Sequence, residues 1–159
     1  PNTDQPTVRF SGVNLQVVDG SDDTEGPVNG LGNLIVGYNE FDQFSGLARG
    51  GSLNLIVGSR NDYASFGGIV AGRYNTIEGR YATITAGSFN VASGFGSTVS
   101  GGDGNRATNT FSSVSGGFLN AATGDQSSVS GGLGVIQPGT FGWAAGSVGP
   151  TVSGSFRSQ

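Results

Sequence analysis

The chain repeats itself every fourteen or fifteen residues, and that period limits its fold more than any other feature. A five-residue word, x-apolar-x-small-Gly, occurs at 33–37, 54–58, 68–72, 83–87, 98–102, 113–117, 128–132 and 142–146. The closing glycines stand 21, 14, 15, 15, 15, 15 and 14 residues apart, so only the first step carries an insertion, around Phe41–Gly51. Three residues after the glycine comes Asn, at Asn61, Asn75, Asn90, Asn105 and Asn120. Two further on stands an apolar or small residue: Tyr63, Ile77, Ala92, Ala107 or Ala122. Two beyond that comes a turn former: Gly79, Gly94, Asn109, Gly124 or Gly139. Each unit reads strand, turn, strand, turn. Fifteen residues at about 3.3 Å each provide two strands of roughly five residues plus corners. The predicted fold is therefore all-β, a flat two-sided parallel solenoid of about eight two-strand coils stacked about 4.8 Å apart.

Identical positions of stacked coils form columns, and side chains two apart share a face. Aligned on the closing glycine, one column runs Leu34, Leu55, Ile69, Ile84, Val99, Val114, Val129 and Trp143, and is expected to form the structural core. The column two residues on, from Val36, Val57 and Ala71 through Ala86, Gly101, Gly116 and Gly131 to Ala145, shares that interior and narrows it. Between them an outward column starts apolar at Ile35, Ile56 and Val70 and continues as Thr85, Ser100, Ser115, Ser130 and Ala144. A strand apolar on both faces is expected only where both faces are covered. A slender roll with Ala and Gly in its core also buries little apolar area, at about 25 cal/mol per Å², against the chain entropy lost. Association is the expected remedy, with Ile35, Ile56 and Val70 at a subunit interface.

These words resemble the heads of YadA-like trimeric autotransporter adhesins, whose repeat is Ser-Val-Ala-Ile-Gly followed by x-x-Ser/Asn-x-Ala-x-Gly; the likeness spans residues 33–146. The resemblance implies a left-handed parallel β-roll, three chains around one axis, an adhesive or spacer role outside the cell or at its surface, and no enzyme activity. Departures are the glycines at Gly101, Gly116 and Gly131 and the one 21-residue step. A phage or secreted fibre is a further reading of the same repeats. Residues 1–32, where VRFSGVNLQVVDG alternates before an acidic loop, are expected to cap the roll at 33–148; residues 149–159 form a tail. The chain opens on Pro1, as a processed chain or an excised fragment does.

With no His and no Cys, Ser-His and Cys-His nucleophiles and thiolate or imidazole zinc sites are excluded, and no cofactor is expected. The carboxylates Glu40, Asp42, Glu78, Asp103 and Asp125 fall at different places in the repeat and read as turn solvation. Net charge is −4, and the basic residues, all Arg, are scattered from Arg9 to Arg157, so nucleic acid is not an expected partner. No run of about 18 apolar residues is present to span a membrane. In DGSDDTEG, Asp19, Asp23 and Glu25 are a weak Ca²⁺ candidate; an EF-hand wants Gly at Thr24 and Glu at Gly30, so a solvated acidic loop is favoured. The corner aromatics read first as shields of coil corners or fillers between subunits; as the alternative, Tyr74, Phe89 and Phe118 are candidate contacts for a host, matrix or glycan ligand. The pairs Thr83/Thr85, Thr98/Ser100, Ser113/Ser115 and Ser128/Ser130 form a hydroxyl grid, which in a monomer points to ice or polysaccharide binding.

Overall fold

The computed structural model describes residues 6–41 and 48–147. Among them there are strands, turns and no helix, hence none long and apolar enough to cross a membrane. In chain order the strands are β1 (Leu34–Val36), β2 (Leu55–Ser59), β3 (Asp62–Tyr63), β4 (Ile69–Arg73), β5 (Thr76–Ile77), β6 (Thr83–Ile84) and β7 (Val91–Ala92). They continue as β8 (Thr98–Val99), β9 (Arg106–Ala107), β10 (Ser113–Val114), β11 (Ala121–Ala122), β12 (Ser128–Leu133), β13 (Ile136–Gln137) and β14 (Trp143–Ser147). The repeated words make an eight-stranded sheet in the order β1-β2-β4-β6-β8-β10-β12-β14, and the segments between them a six-stranded sheet, β13-β11-β9-β7-β5-β3. All pairing is parallel, and the register is unbroken within each pair except between β12 and β14, where it shifts by one residue. The fold is thus a parallel β-solenoid of about six turns. Eight words do not make eight coils, because only six of them are followed by a described strand of the second sheet. Asp42 and the tail at 149–159 lie outside the described residues.

The core is a double file of side chains. From the eight-stranded sheet come Ile56, Val70, Ile84, Val99, Val114 and Val129, each with no exposed surface; from the other come Tyr63, Ile77, Ala92, Ala107 and Ala122. This corrects the faces read from sequence. Leu34, Ile69 and Trp143, expected inside, are 46%, 39% and 47% exposed, and Leu55 is half-buried beside them. Ile56 and Val70, expected at a subunit interface, are fully enclosed by their own chain. Ile35 shares their column but is exposed, because it sits at the open end of the stack.

The cause is a one-residue bulge. One residue separates Ile56 from Gly58 and Val70 from Gly72, whereas two separate Ile84 from Gly87, Val99 from Gly102, Val114 from Gly117 and Val129 from Gly132. Pairing nevertheless sets Val70 against Ile84 and Val129 against Ala144, and the register shifts between Val129 and Gly132. A shift of one residue turns every side chain to the opposite face. Alignment on the closing glycine therefore mixes the inner column of the fifteen-residue turns with the outer column of the fourteen-residue ones.

Two devices hold successive turns in register. The backbone N–H of each ladder Asn donates to the side-chain oxygen of the Asn one turn earlier, running Asn39, Asn61, Asn75, Asn90, Asn105, Asn120 and ending at Val135. Each amide Nδ2 from Asn61 to Asn120 donates to a carbonyl of its own turn and to a glycine carbonyl of the next. The second device is the closing glycine. At Gly58, Gly72, Gly87, Gly102 and Gly117, φ lies between 83° and 107°, and a Cβ would stand 2.1–2.3 Å from the carbonyl oxygen of the next glycine in the column. No residue with a side chain fits that approach.

Residues 19–33 cover part of the N-terminal end. Leu53 N–H donates to Leu31 O, the N–H groups of Asn29 and Gly30 donate to Ser52 Oγ, and Asn54 N–H donates to Asn33 Oδ1. Residues 8–18 project from this cap, with no hydrogen bond among the described residues.

Candidate functional site

The outer face of the eight-stranded sheet carries two columns. One is set by pairing: Leu34, Leu55, Ile69, Thr83, Thr98, Ser113, Ser128, Trp143. The other lies two residues further along each word: Val36, Val57 and Ala71, then Thr85, Ser100, Ser115 and Ser130, which are exposed. The face is thus greasy over the first three words and hydroxylated over the next four. Its side chains are partly tied to one another. Thr85 Oγ1 donates to Ser100 O at 2.9 Å and Ser113 Oγ to Ser128 Oγ at 3.1 Å, while Trp143 Nε1–H donates to Ser130 Oγ at 2.6 Å.

The corner that leaves this sheet turns on a left-handed residue: Arg60, Tyr74, Phe89 and Leu119 have φ of 55–57°, and Gly104 and Gly134 fill the same column. Tyr74 and Phe89 stack with ring centres 4.8 Å apart and planes within 7°. The guanidinium groups of Arg60 and Arg73 lie 5.4 and 5.3 Å from the centre of the Tyr74 ring. Phe118 is on the same corner two turns on, half exposed, in the bridged column Ser88, Asp103, Phe118, Leu133. The three aromatics named from sequence therefore share an edge of the rod, but only Tyr74 and Phe89 form a pair.

The opposite corner holds an edge-to-face ladder: Phe66 to Tyr81 at 5.4 Å, Tyr81 to Phe95 at 5.9 Å, Phe95 to Phe111 at 5.2 Å. Its alternation has a steric cause. A Cβ at Gly67 would stand 2.7 Å from the Tyr81 ring, and one at Gly96 2.7 Å from the Phe111 ring, so each of these rings lies over a glycine. An open cleft of about 380 Å³ borders this ladder, between Glu25–Val28 on the cap and Phe66 and Arg80 on the corner.

The acidic loop closes on itself. Asp19 Oδ1 accepts from the N–H and Oγ of Ser21, Asp23 Oδ1 accepts from Glu25 N–H, and Glu25 Oε1 accepts from the Tyr81 hydroxyl at 2.7 Å. Asp19, Asp23 and Glu25 do not converge on a common point, and no group of three metal-ligating side chains occurs among the described residues. The Ser21 backbone N–H, helped by its hydroxyl, holds Asp19 below the usual carboxylate range. The hydrogen bond to Glu25 raises the Tyr81 phenol above its ordinary value. A raised acid keeps its contribution below the ordinary tyrosine pKa of about 10 and loses it as pH climbs through the raised value. Glu25→Gln is accordingly expected to return one tyrosine toward the ordinary range in a phenolate absorbance titration. An unchanged curve would mean the contact does not form.

Arg49 was not singled out by the sequence. Its Nε–H donates to Asp62 Oδ1 at 3.3 Å, its Nη1 to Asn39 O and its Nη2 to Glu40 O, which fixes the head of the Asn ladder. One basic residue inside an insertion gives no pattern from which this role can be read. No protein-family model, curated protein or solved structure matches the chain.

Proposed function

We propose that the chain is a non-enzymatic structural and adhesive module: the trimeric β-roll head of a bacterial surface adhesin or fibre, similar to YadA-like autotransporters, acting at the cell surface or outside it. The observation that carries this reading is the greasy start of the outer sheet face. Leu34, Val36 and Ile69 are exposed, Leu55 and Val57 half-buried, and together they form one contiguous patch. Such a patch on a soluble face marks an interaction site. The subunit interface accordingly moves by one column from its sequence placement, to Leu34, Leu55 and Ile69. In a trimer assembled through that patch the corners stay outside, and the Tyr74–Phe89 stack with its two guanidinium groups is placed to meet matrix or glycan ligands.

Light scattering tests the assembly: a mass three times the 15.9 kDa of the chain is expected. Leu55→Asp, on the outer face, is expected to release monomers that keep the β-sheet circular dichroism spectrum. A parent chain that is monomeric at micromolar concentration would sink the trimer. A second reading rests on the hydroxyl half of the same face: in a monomer, the Thr83/Thr85 to Ser128/Ser130 grid is open to ice or a polysaccharide. Thermal hysteresis abolished by Ser115→Tyr would favour it.

A further inference from the structure

We infer that the N-terminal end of the stack is a strand-accepting surface and that residues 13–17 of the same chain are the strand it accepts. The surface is incomplete in a specific way. In the inner column of the eight-stranded sheet, every member from Ile56 to Val129 is fully buried, but Ile35, the first, is 45% exposed. Among the described residues β1 is paired on one side only, so no described strand lies beside the backbone groups of its other edge. An unpaired parallel edge with an open core above it is a liability that folded proteins cover.

The arm has the complementary pattern. Val13, Leu15 and Val17 alternate with Asn14 and Gln16, and the three apolar side chains are 66%, 62% and 41% exposed. Its root already lies at the right place: a Cβ on Gly32 would stand 2.7 Å from Asp19 N and 2.9 Å from the Val18 carbonyl carbon. An arm folding back from that contact runs antiparallel to β1, with Val18 beside Gly32 and Leu15 therefore opposite Ile35. This register puts Leu15 on the uncovered end of the core and Asn14 and Gln16 outward, at the rim of the greasy patch. A slip of one residue would place Asn14 or Gln16 on Ile35. The chain's own arm has the advantage over a second copy, because a short tether raises its effective concentration to the millimolar range.

Absence of cysteine makes the test clean. Facing residues of an antiparallel pair have Cα atoms about 4.5–5.5 Å apart, within disulfide reach. Oxidised Leu15→Cys/Ile35→Cys is expected to form an intrachain disulfide at least about tenfold faster than Asn14→Cys/Ile35→Cys, whose thiol points to the other face. Non-reducing electrophoresis and intact mass distinguish the products. Interchain disulfides would show that a second copy supplies the strand and would overturn the assignment, as would equal rates for the two pairs. In the unmodified chain, hydrogen exchange is expected to show protection at 13–17 together with 34–36. Exchange of 13–17 at the rate of an open peptide would overturn the proposal independently of any variant. Both readouts are insensitive to whether the rod is a trimer, so failure here is separable from failure of the adhesin reading.

Discussion

Gly102→Ala is expected to cost about 2–5 kcal/mol of stability, whereas Gly101→Ala, its immediate neighbour, is expected to leave the protein as stable or about 0.4–1 kcal/mol more so. Sequence makes the two glycines look equivalent; the backbone separates them. Gly102 has φ of 83°, and its added methyl would stand 2.2 Å from the Gly117 carbonyl oxygen and 2.6 Å from Asn105 Nδ2. Neither neighbour can yield, since one is a rung of the ladder between turns and the other a buried amide with its bonds committed. Left-handed strain for a residue with a Cβ is about 1–2 kcal/mol, and overpacking adds about 1–3. Gly101 lacks a positive φ, and its methyl would meet only the Ala86 methyl, at 3.7 Å, an ordinary contact. Its gain comes from the unfolded chain, which loses freedom when Gly becomes Ala. Urea midpoints of the two variants decide the matter. Equal losses would mean that the closing glycine is not where the turns touch.

The same pair shows what the sequence makes legible and where it stops. Period, parallel stacking, the Asn column and the corner glycines are all written in the spacing of residue types, because each is a local demand repeated at every turn. Which face a side chain takes is not, because it depends on whether a turn of fourteen or fifteen residues absorbs the difference before or after the strand. Val70 and Ile84 look one position out of step on the page, yet they are partners in the sheet. The bulge that reconciles them sits between the valine or isoleucine and the glycine, where Thr85–Ala86 and Ser100–Gly101 are too small and too polar to reveal which way they point. The apolar outer face of the first words is formed by Leu34, Leu55 and Ile69, whereas Ile56 and Val70, which glycine alignment puts outside, are enclosed. Asn39 escapes the spacing rule for a similar reason: it follows Gly37 by two residues, not three, yet its side-chain oxygen takes the N–H of Asn61 at 2.7 Å. The alternation of Gly67, Tyr81, Gly96 and Phe111 at one corner was present in the sequence as a signal. A glycine in one turn beneath a ring in the next is the sign of an aromatic ladder.

Asn105→Ala is expected to destabilise the rod by roughly 3–5 kcal/mol, more than a Val→Ala change in its thin core. Asn105 has no exposed surface, and its side chain makes three bonds at once. Oδ1 accepts from Asn120 N–H at 2.9 Å, while Nδ2 donates to Gly101 O at 3.0 Å and Gly117 O at 2.9 Å. The Gly117 carbonyl keeps a second partner in Asp103 N–H, so truncation leaves chiefly the Asn120 N–H and the Gly101 carbonyl unpaired. Each buried orphan costs about 1–3 kcal/mol, and the cavity adds to that. Asn105→Asp separates the hydrogen bonds from the packing, since shape is conserved. A carboxylate accepts from Asn120 N–H but faces two carbonyl oxygens with no proton to offer, so burial and these neighbours raise its pKa above the free value of about 3.9. The sign follows: the variant is most stable below pH of about 4, where the neutral acid donates to one carbonyl, and loses that stability as pH rises through the raised folded pKa. Thermal melts of the parent, Asn105→Ala and Asn105→Asp across that range test both halves. A flat difference between the parent and Asn105→Asp would show that the amide does not bridge its own turn and the next, and the ladder would then be an alignment of side chains rather than what binds each turn to the next.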